Sequence, residues 1–425
     1  MRVAWPGEDL PGVSARSEAR AGLYVHVPFC ATRCTYCDFS SGSLSSAALD
    51  RYVSALTLEA GRRAETARGV RFHSVFFGGG TPSALPERHF RAVWARLRDC
   101  FEIAPGAEVT LEANPESVRA SRLEAWAEAG VNRLSMGAQS FVPEELETLG
   151  RVHSADRPAA AIALARAHGF RRLSLDLMFG FPGNTAAHLD LSLETALSLG
   201  IDHLSAYCFI PEPGTRLGDA VSGVGAARRA LPSPDEQAEL YARLTATCAR
   251  HGLHGYETSN FCRPGAEARH NLVYWMRRPY LGLGPSAHSL MDGERFANHY
   301  AFTRWADALE AGESPECERE ACGGAAIAAE IVMLALRLGH GLDRGDYPDS
   351  DWLEVVRRYG AALDQAVKTG RLDRAARGWR VASESRFVAD EVIAWVAARE
   401  RAPFDRGSAP SIMLESCLSL PSPAI

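Results

Sequence analysis

Three cysteines stand within eight residues, Cys30-Ala-Thr-Arg-Cys34-Thr-Tyr-Cys37, on the loop that leaves a short apolar run from Gly22 to Phe29. Thiolates are soft ligands, and three of them on one loop suit iron–sulfur chemistry. A four-iron cluster has four corners, so a three-cysteine loop leaves one iron without a protein ligand. The methionine amine and carboxylate of S-adenosylmethionine can chelate that iron, and a reduced cluster beside the sulfonium can then cleave the S–C5′ bond with one electron. The spacing points to Cys30, Cys34 and Cys37 as the metal ligands of a [4Fe–4S] cluster. A zinc knuckle built on the same cysteines needs a fourth Cys or His close by. His26, four residues before Cys30 and inside the apolar run, serves that purpose poorly. Tyr36, just before the third cysteine, is placed to stack on adenine.

A loop of this kind needs a framework that holds it. Six β-branched and aromatic runs (Gly22 to Phe29, Phe72 to Phe77, Glu108 to Ala113, Arg133 to Gln139, Leu173 to Phe179, His203 to Phe209) are each followed by a stretch of helical period. Strands alternating with helices make a parallel sheet, because right-handed crossovers need a helix between neighbours. The expected fold is therefore α/β, a partial (β/α)6 barrel of the TIM-like kind. The run Leu173-Ser-Leu-Asp-Leu-Met-Phe179 is short and nearly continuous, as for a strand covered on both faces.

From about Tyr256 to Tyr300 the pattern turns irregular and aromatic, with Gly282, Gly284 and Pro285 as breakers. Gly312 to Gly324 reads as a linker. Ile327, Ile331, Leu334 and Leu338, then Trp352, Leu353, Val356, Leu363 and Val367, mark two amphipathic helices. With a strand pair around Arg371 to Val381 and a last helix from Asp390 to Ala398, they make a small helical, winged-helix-like domain. The expected organisation is an N-terminal segment 1–21, a core barrel 22–255, a connecting region 256–311, a C-terminal domain 325–402 and a disordered, Ser- and Pro-rich tail 403–425.

At 425 residues and 46% hydrophobic content the chain can bury a large core. Its net charge of −6 and lack of a Lys/Arg block give no reason to expect nucleic acid as a partner. No apolar run reaches a signal-peptide or membrane-spanning length, so a cytoplasmic protein without a transmembrane segment is expected. Three of the ten cysteines are clustered and the other seven are scattered, which suits a metal site plus ordinary thiols in a reducing compartment.

Further blocks carry a resemblance: Tyr24-Val-His-Val-Pro-Phe-Cys30, Phe77-Gly-Gly-Gly-Thr-Pro-Ser83, Leu111-Glu-Ala-Asn-Pro115, Met136-Gly-Ala-Gln-Ser-Phe141, Leu149-Gly-Arg-Val-His153, Asp176-Leu-Met-Phe-Gly-Phe-Pro-Gly183, Glu212-Pro-Gly-Thr215 and Arg269-His-Asn-Leu-Val-Tyr-Trp275. With the cysteine motif, they make the chain similar to the radical S-adenosylmethionine superfamily. More narrowly, it resembles the oxygen-independent coproporphyrinogen III oxidases and the related HemW haem chaperones, from about Gly22 to Ala398.

By this resemblance Gly79, Gly80 and Thr81 meet the methionine amino end of S-adenosylmethionine, and Tyr24, Glu112, Gln139, Arg151 and Asp176 are further cofactor-binding positions. The residue types agree. Glycines let backbone approach a ligand, carboxylates and amides can accept from ribose hydroxyls or an ammonium, and a guanidinium can pair with a carboxylate.

Authentic oxidases of this family carry a further cysteine two residues after the third, whereas this chain has Cys37-Asp38-Phe39, and Phe39 marks the HemW branch. The block around His270, Asn271, Tyr274 and Trp275 resembles the haem-chaperone signature, which implies haem as a cofactor and His270 as its candidate contact. The resemblance thus implies a haem carrier with a haem-acceptor protein and an electron donor for the cluster as partners. The alternative is a radical decarboxylase acting on coproporphyrinogen III in porphyrin biosynthesis.

Overall fold

Strand and helix alternate from the first described residues of the computed structural model, which describes residues 20–38, 45–223 and 230–400. β1 (Gly22–Val27) is followed by α1 (Ser46–Thr66), β2 (Arg71–Gly79) by α2 (Glu87–Cys100), β3 (Glu102–Ala113) by α3 (Ala120–Glu128), and β4 (Arg133–Gln139) by α4 (Pro143–Leu149) and α5 (Arg157–Ala167). β5 (Arg172–Phe179) precedes α6 (Ala186–Ser198), and β6 (His203–Cys208) precedes α7 (Arg216–Ser222) and α8 (Pro234–Arg250). The six strands pair in parallel and in chain order, which is the expected (β/α)6 arrangement. Local chemistry sets the helix starts. Ser45 accepts from the Ala48 N–H ahead of α1, and Ser233 with Glu236 forms a reciprocal capping box ahead of α8. Caps of this kind are worth about 1 kcal/mol each.

The barrel strands alternate more strictly than the sequence suggests. Leu23, Val25, Val75, Phe77, Val109, Leu111, Leu134, Leu173, Leu175 and Leu204 point outward into the core beneath the helices. Replacing any such leucine with alanine would cost about 2–5 kcal/mol. The intervening residues, among them Tyr24, Ser74, Glu108, Glu112, Arg133, Ser135, Asp176 and His203, line a polar lumen and bond one another there. The Leu173–Phe179 run is therefore not uniformly apolar in role. Ser174 and Asp176 face inward while its leucines face the helices.

Further elements are β7 (His254–Gly255), β8 (Asn260–Cys262), α9 (Arg269–Trp275), β9 (Tyr280–Leu283), β10 (His288–Met291), β11 (Glu294–Asn298), α10 (Phe302–Glu310) and β12 (Glu316–Ala321). β8 and β7 extend the β6 edge, and β9 to β12 extend the β1 edge, giving twelve strands in one sheet. The segment expected to be irregular thus supplies strands to both edges of the sheet, and the expected linker 312–324 contains the edge strand β12.

The C-terminal unit comprises α11 (Gly324–Ala335), β13 (Leu342–Asp343), α12 (Asp349–Lys368), β14 (Leu372–Ala375), β15 (Gly378–Val381) and α13 (Ala389–Ala397). Its three short strands form an antiparallel sheet over a separate core that includes Ile331, Trp352, Tyr359, Leu363 and Trp379. It closes the end of the barrel from which the strands start. Gly339 N–H donates to Tyr256 O at 2.7 Å, Glu330 pairs with both Arg277 and Arg295, and Leu334 and Leu338 pack on Leu272, Val273 and Trp275. No helix among the described residues is long and apolar enough to cross a membrane. The tail 403–425, all but the end of the segment 1–21, and Phe39 lie outside the described residues.

Candidate functional site

The cysteine loop leaves β1 at the end where the strands finish, the end at which barrel proteins place their chemistry. Its root is fixed by Phe29, which is buried edge-on against Tyr52, and by the Tyr52 hydroxyl, which donates to His26 O at 2.8 Å. Its middle is stitched across the barrel mouth. Thr35 N–H donates to Leu149 O at 3.1 Å, the Thr35 hydroxyl to Thr148 O at 2.8 Å, and Leu217 N–H to Thr35 O at 2.7 Å. Gly150 must be glycine here, because it ends α4 at φ +69° and a Cβ would lie 2.9 Å from Thr35 Cγ2.

The three cysteines are half-buried. The Thr81 hydroxyl donates to Cys30 Sγ at 3.4 Å and Arg151 Nη1 donates to Cys34 Sγ at 3.2 Å. Arg151 Nη2 also reaches Asn114 Oδ1 and Gly137 O, both at 2.8 Å, so the guanidinium is held by two strand ends. Tyr36 packs among Leu149, Phe181, Phe209 and Leu217, and burial followed by the neighbouring Cys34 raises its pKa. Among the described residues no three His, Cys, Asp or Glu side chains converge on one metal ion. Ligands that hold separate irons of a cuboidal cluster are spread more widely than the ligands of a single ion.

Below the loop, Gly78, Gly79 and Gly80 lie against β1. A Cβ on Gly78 would meet Tyr24 at 3.0 Å, one on Gly79 (φ +107°) would meet the His26 ring at 2.7–2.8 Å, and one on Gly80 would meet Phe29 O at 2.7 Å. The glycines thus admit the root of the cysteine loop, a role additional to ligand approach. Tyr24 reaches His26 Nδ1 with its hydroxyl at 3.0 Å. Glu112 is half-buried, receives the Gly79 N–H, and its enclosed Oε1 has no hydrogen-bond partner. Its pKa is raised by burial and then by Asp176. Burial likewise raises Asp176, which accepts from Ser135 at 2.9 Å. Gln139 sits at a bulge in β4 with φ 64°, a conformation uncommon outside glycine.

These groups fit the cofactors that the motif implies. Three thiols share one loop, two sulfurs receive donors, and a buried carboxylate oxygen lacks the donor that an ammonium or ribose hydroxyl supplies. Asn114 was not singled out from the sequence and His26 only as a poor zinc ligand, although both lie inside motif blocks. The first orients Arg151 and the second fills the space that Gly79 leaves.

His270 is not brought to the cysteines. It lies beside Gly22 and Ser74, where the strands begin, with its ring stacked 5.1 Å from Phe76. Nδ1 is bonded to Ser74 Oγ and Nε2 to Tyr274 OH, both at 2.9 Å. Burial pushes its pKa down to about 3, so the ring is neutral and both nitrogens are satisfied. Ligation of iron there requires one of these bonds to break. Around it, Glu108 bonds the His270 N–H and pairs with Arg133, while His203 joins Ser174 to Tyr256, completing a hydrogen-bonded floor.

A barrel of parallel strands with a three-cysteine loop at its mouth defines a radical S-adenosylmethionine protein, and the family model described as "Radical SAM superfamily" matches residues 24–196. A solved structure, coproporphyrinogen III oxidase from Escherichia coli, shares the fold with a TM-score of 0.77 over 90% of this chain and 92% of its own, at 22% identity. Proteins named "Heme chaperone HemW" are similar at nearly full length. That of Mycobacterium tuberculosis is 36% identical over 91% of this chain and 97% of its own, and that of Bacillus subtilis 34% identical over 85% and 93%. The chain belongs to the HemW haem-chaperone family.

Proposed function

We propose that this protein binds haem and hands it to an acceptor protein while carrying a [4Fe–4S] cluster and an exchangeable S-adenosylmethionine. The observation behind this reading is near-full-length similarity to proteins named as haem chaperones, in a chain with Phe39 where the oxidases carry a cysteine. The likeness to the oxidase structure supports the fold alone.

Cys30, Cys34 and Cys37 would hold the cluster, leaving one iron for S-adenosylmethionine. The donors from Thr81 and Arg151 lower the electron density on two of their sulfurs, a recognised way of tuning a cluster. Gly79, Gly80, Thr81, Glu112, Gln139, Arg151 and Asp176, with Tyr24 below them, hold the amino acid and ribose of S-adenosylmethionine. Tyr36 covers the adenine and keeps water from that side of the loop. When bound, these cofactors supply one-electron chemistry at the sulfonium. An electron donor and a haem acceptor complete the set of partners.

The test is an anaerobic comparison of the reconstituted protein with haem and with coproporphyrinogen III. Stoichiometric haem binding, release to an acceptor and no decarboxylated product are expected. Decarboxylation accompanied by 5′-deoxyadenosine would establish the oxidase reading instead.

A further inference from the structure

A carrier has to hold haem where an acceptor can reach it, and large exposed apolar side chains mark such surfaces when they gather. Among the described residues, seven are exposed, and three of them, Val152, Ile210 and Tyr300 at 63%, 68% and 60%, sit on loops at the barrel mouth. Each is tied to the cysteine loop. Val152 follows Arg151, which bonds Cys34; Ile210 follows Phe209, which packs with Tyr36; and the Tyr300 hydroxyl donates to Asp38 O at 3.0 Å. Two exposed arginines flank the same loop. Arg33 bonds Cys37 O, and Arg216 precedes Leu217, whose N–H bonds Thr35 O.

We propose that haem lies across this mouth, its apolar macrocycle on Val152, Ile210 and Tyr300 and its two propionates at Arg33 and Arg216, and not on His270. The placement rests on the haem-carrier reading above and deepens it. Haem is a flat apolar disc with two carboxylates on one edge, which matches an apolar rim with cations beside it. His270 stands at the opposite end of the barrel, enclosed by Phe76, Tyr24, Ser74 and Tyr274 and covered by the C-terminal unit. Reaching it would require that floor to be dismantled, whereas Val152, Ile210 and Tyr300 are already exposed among the described residues.

The test is an anaerobic titration of the full chain with ferric haem, followed at the Soret band, for wild type, Val152→Glu/Ile210→Glu and a control, Leu58→Glu/Leu191→Glu, on outer helices. All four positions are exposed, and an unchanged circular dichroism spectrum and Tm verify folding. The rim pair is expected to raise the haem Kd at least tenfold and the control less than twofold. Equal affinity in the rim pair and wild type overturns the placement, even if transfer to an acceptor is impaired. A wild type that binds no haem overturns the carrier reading itself.

Discussion

Removing the Glu108 carboxylate tests whether the barrel floor is held by charge. In Glu108→Ala, Arg133, whose side chain is 4% exposed, keeps its bonds to Ala266 O at 2.8 Å and Glu267 O at 3.0 Å but loses the carboxylate that pairs with it at 3.0 Å. The His270 N–H, in the first turn of α9, loses the acceptor that Glu108 offers it at 3.1 Å. Breaking a buried ion pair from one side costs about 3–5 kcal/mol, because the remaining charge has no compensation. Against net domain stabilities of roughly 5–15 kcal/mol that is a large share, and it corresponds to a Tm loss on the order of 10 °C. Thermal melts of the cluster-free protein measure it. The double variant Glu108→Ala/Arg133→Met, which buries no charge, should recover most of the loss. A single variant that melts within about 2 °C of wild type, or a double variant no more stable than the single, would refute the view that this pair holds the floor.

Two further outcomes follow from the lumen. His270 takes up no proton until about pH 3 when folded, whereas in the unfolded chain it does so from about pH 6.5, so its contribution is full above pH 6.5 and is lost as pH falls toward 3. Between pH 6.5 and 4 wild type should lose stability relative to His270→Gln by up to about 1.4 kcal/mol per pH unit, as read from urea midpoints; parallel midpoints would show that the ring is not buried neutral. Gly79→Ala places a Cβ 2.7–2.8 Å from three atoms of the His26 ring at φ +107°, and should cost about 1–3 kcal/mol. It should also weaken S-adenosylmethionine binding at least tenfold by calorimetry of the reconstituted protein, and wild-type affinity would remove Gly79 from the proposed binding set.

The barrel was legible because each of its strands is an apolar run followed by a helical period, and the cysteine loop because its spacing is local. The lumen was not, since in Leu173 to Phe179 one serine and one aspartate among five apolar residues look incidental until the register sets them beside His203 and Ser135. β12 was hidden for the opposite reason. Glu316 to Ala321 has no apolar face, and the strand is recognisable only through its pairing with β11. The placement of His270 depends on where α9 lands against β1 and β2, a contact between positions far apart in the chain that no local pattern encodes.

The tyrosine at 256 belongs to two bodies at once. Its carbonyl takes the Gly339 N–H from the C-terminal unit, and its hydroxyl touches His203 and Asn271 inside the barrel. Leu272, Val273, Trp275 and Met276 likewise complete their packing only with Leu334 and Leu338. Neither half finishes its own interior, so a tilt of the winged unit is felt by the histidines at the base of the barrel before it reaches solvent.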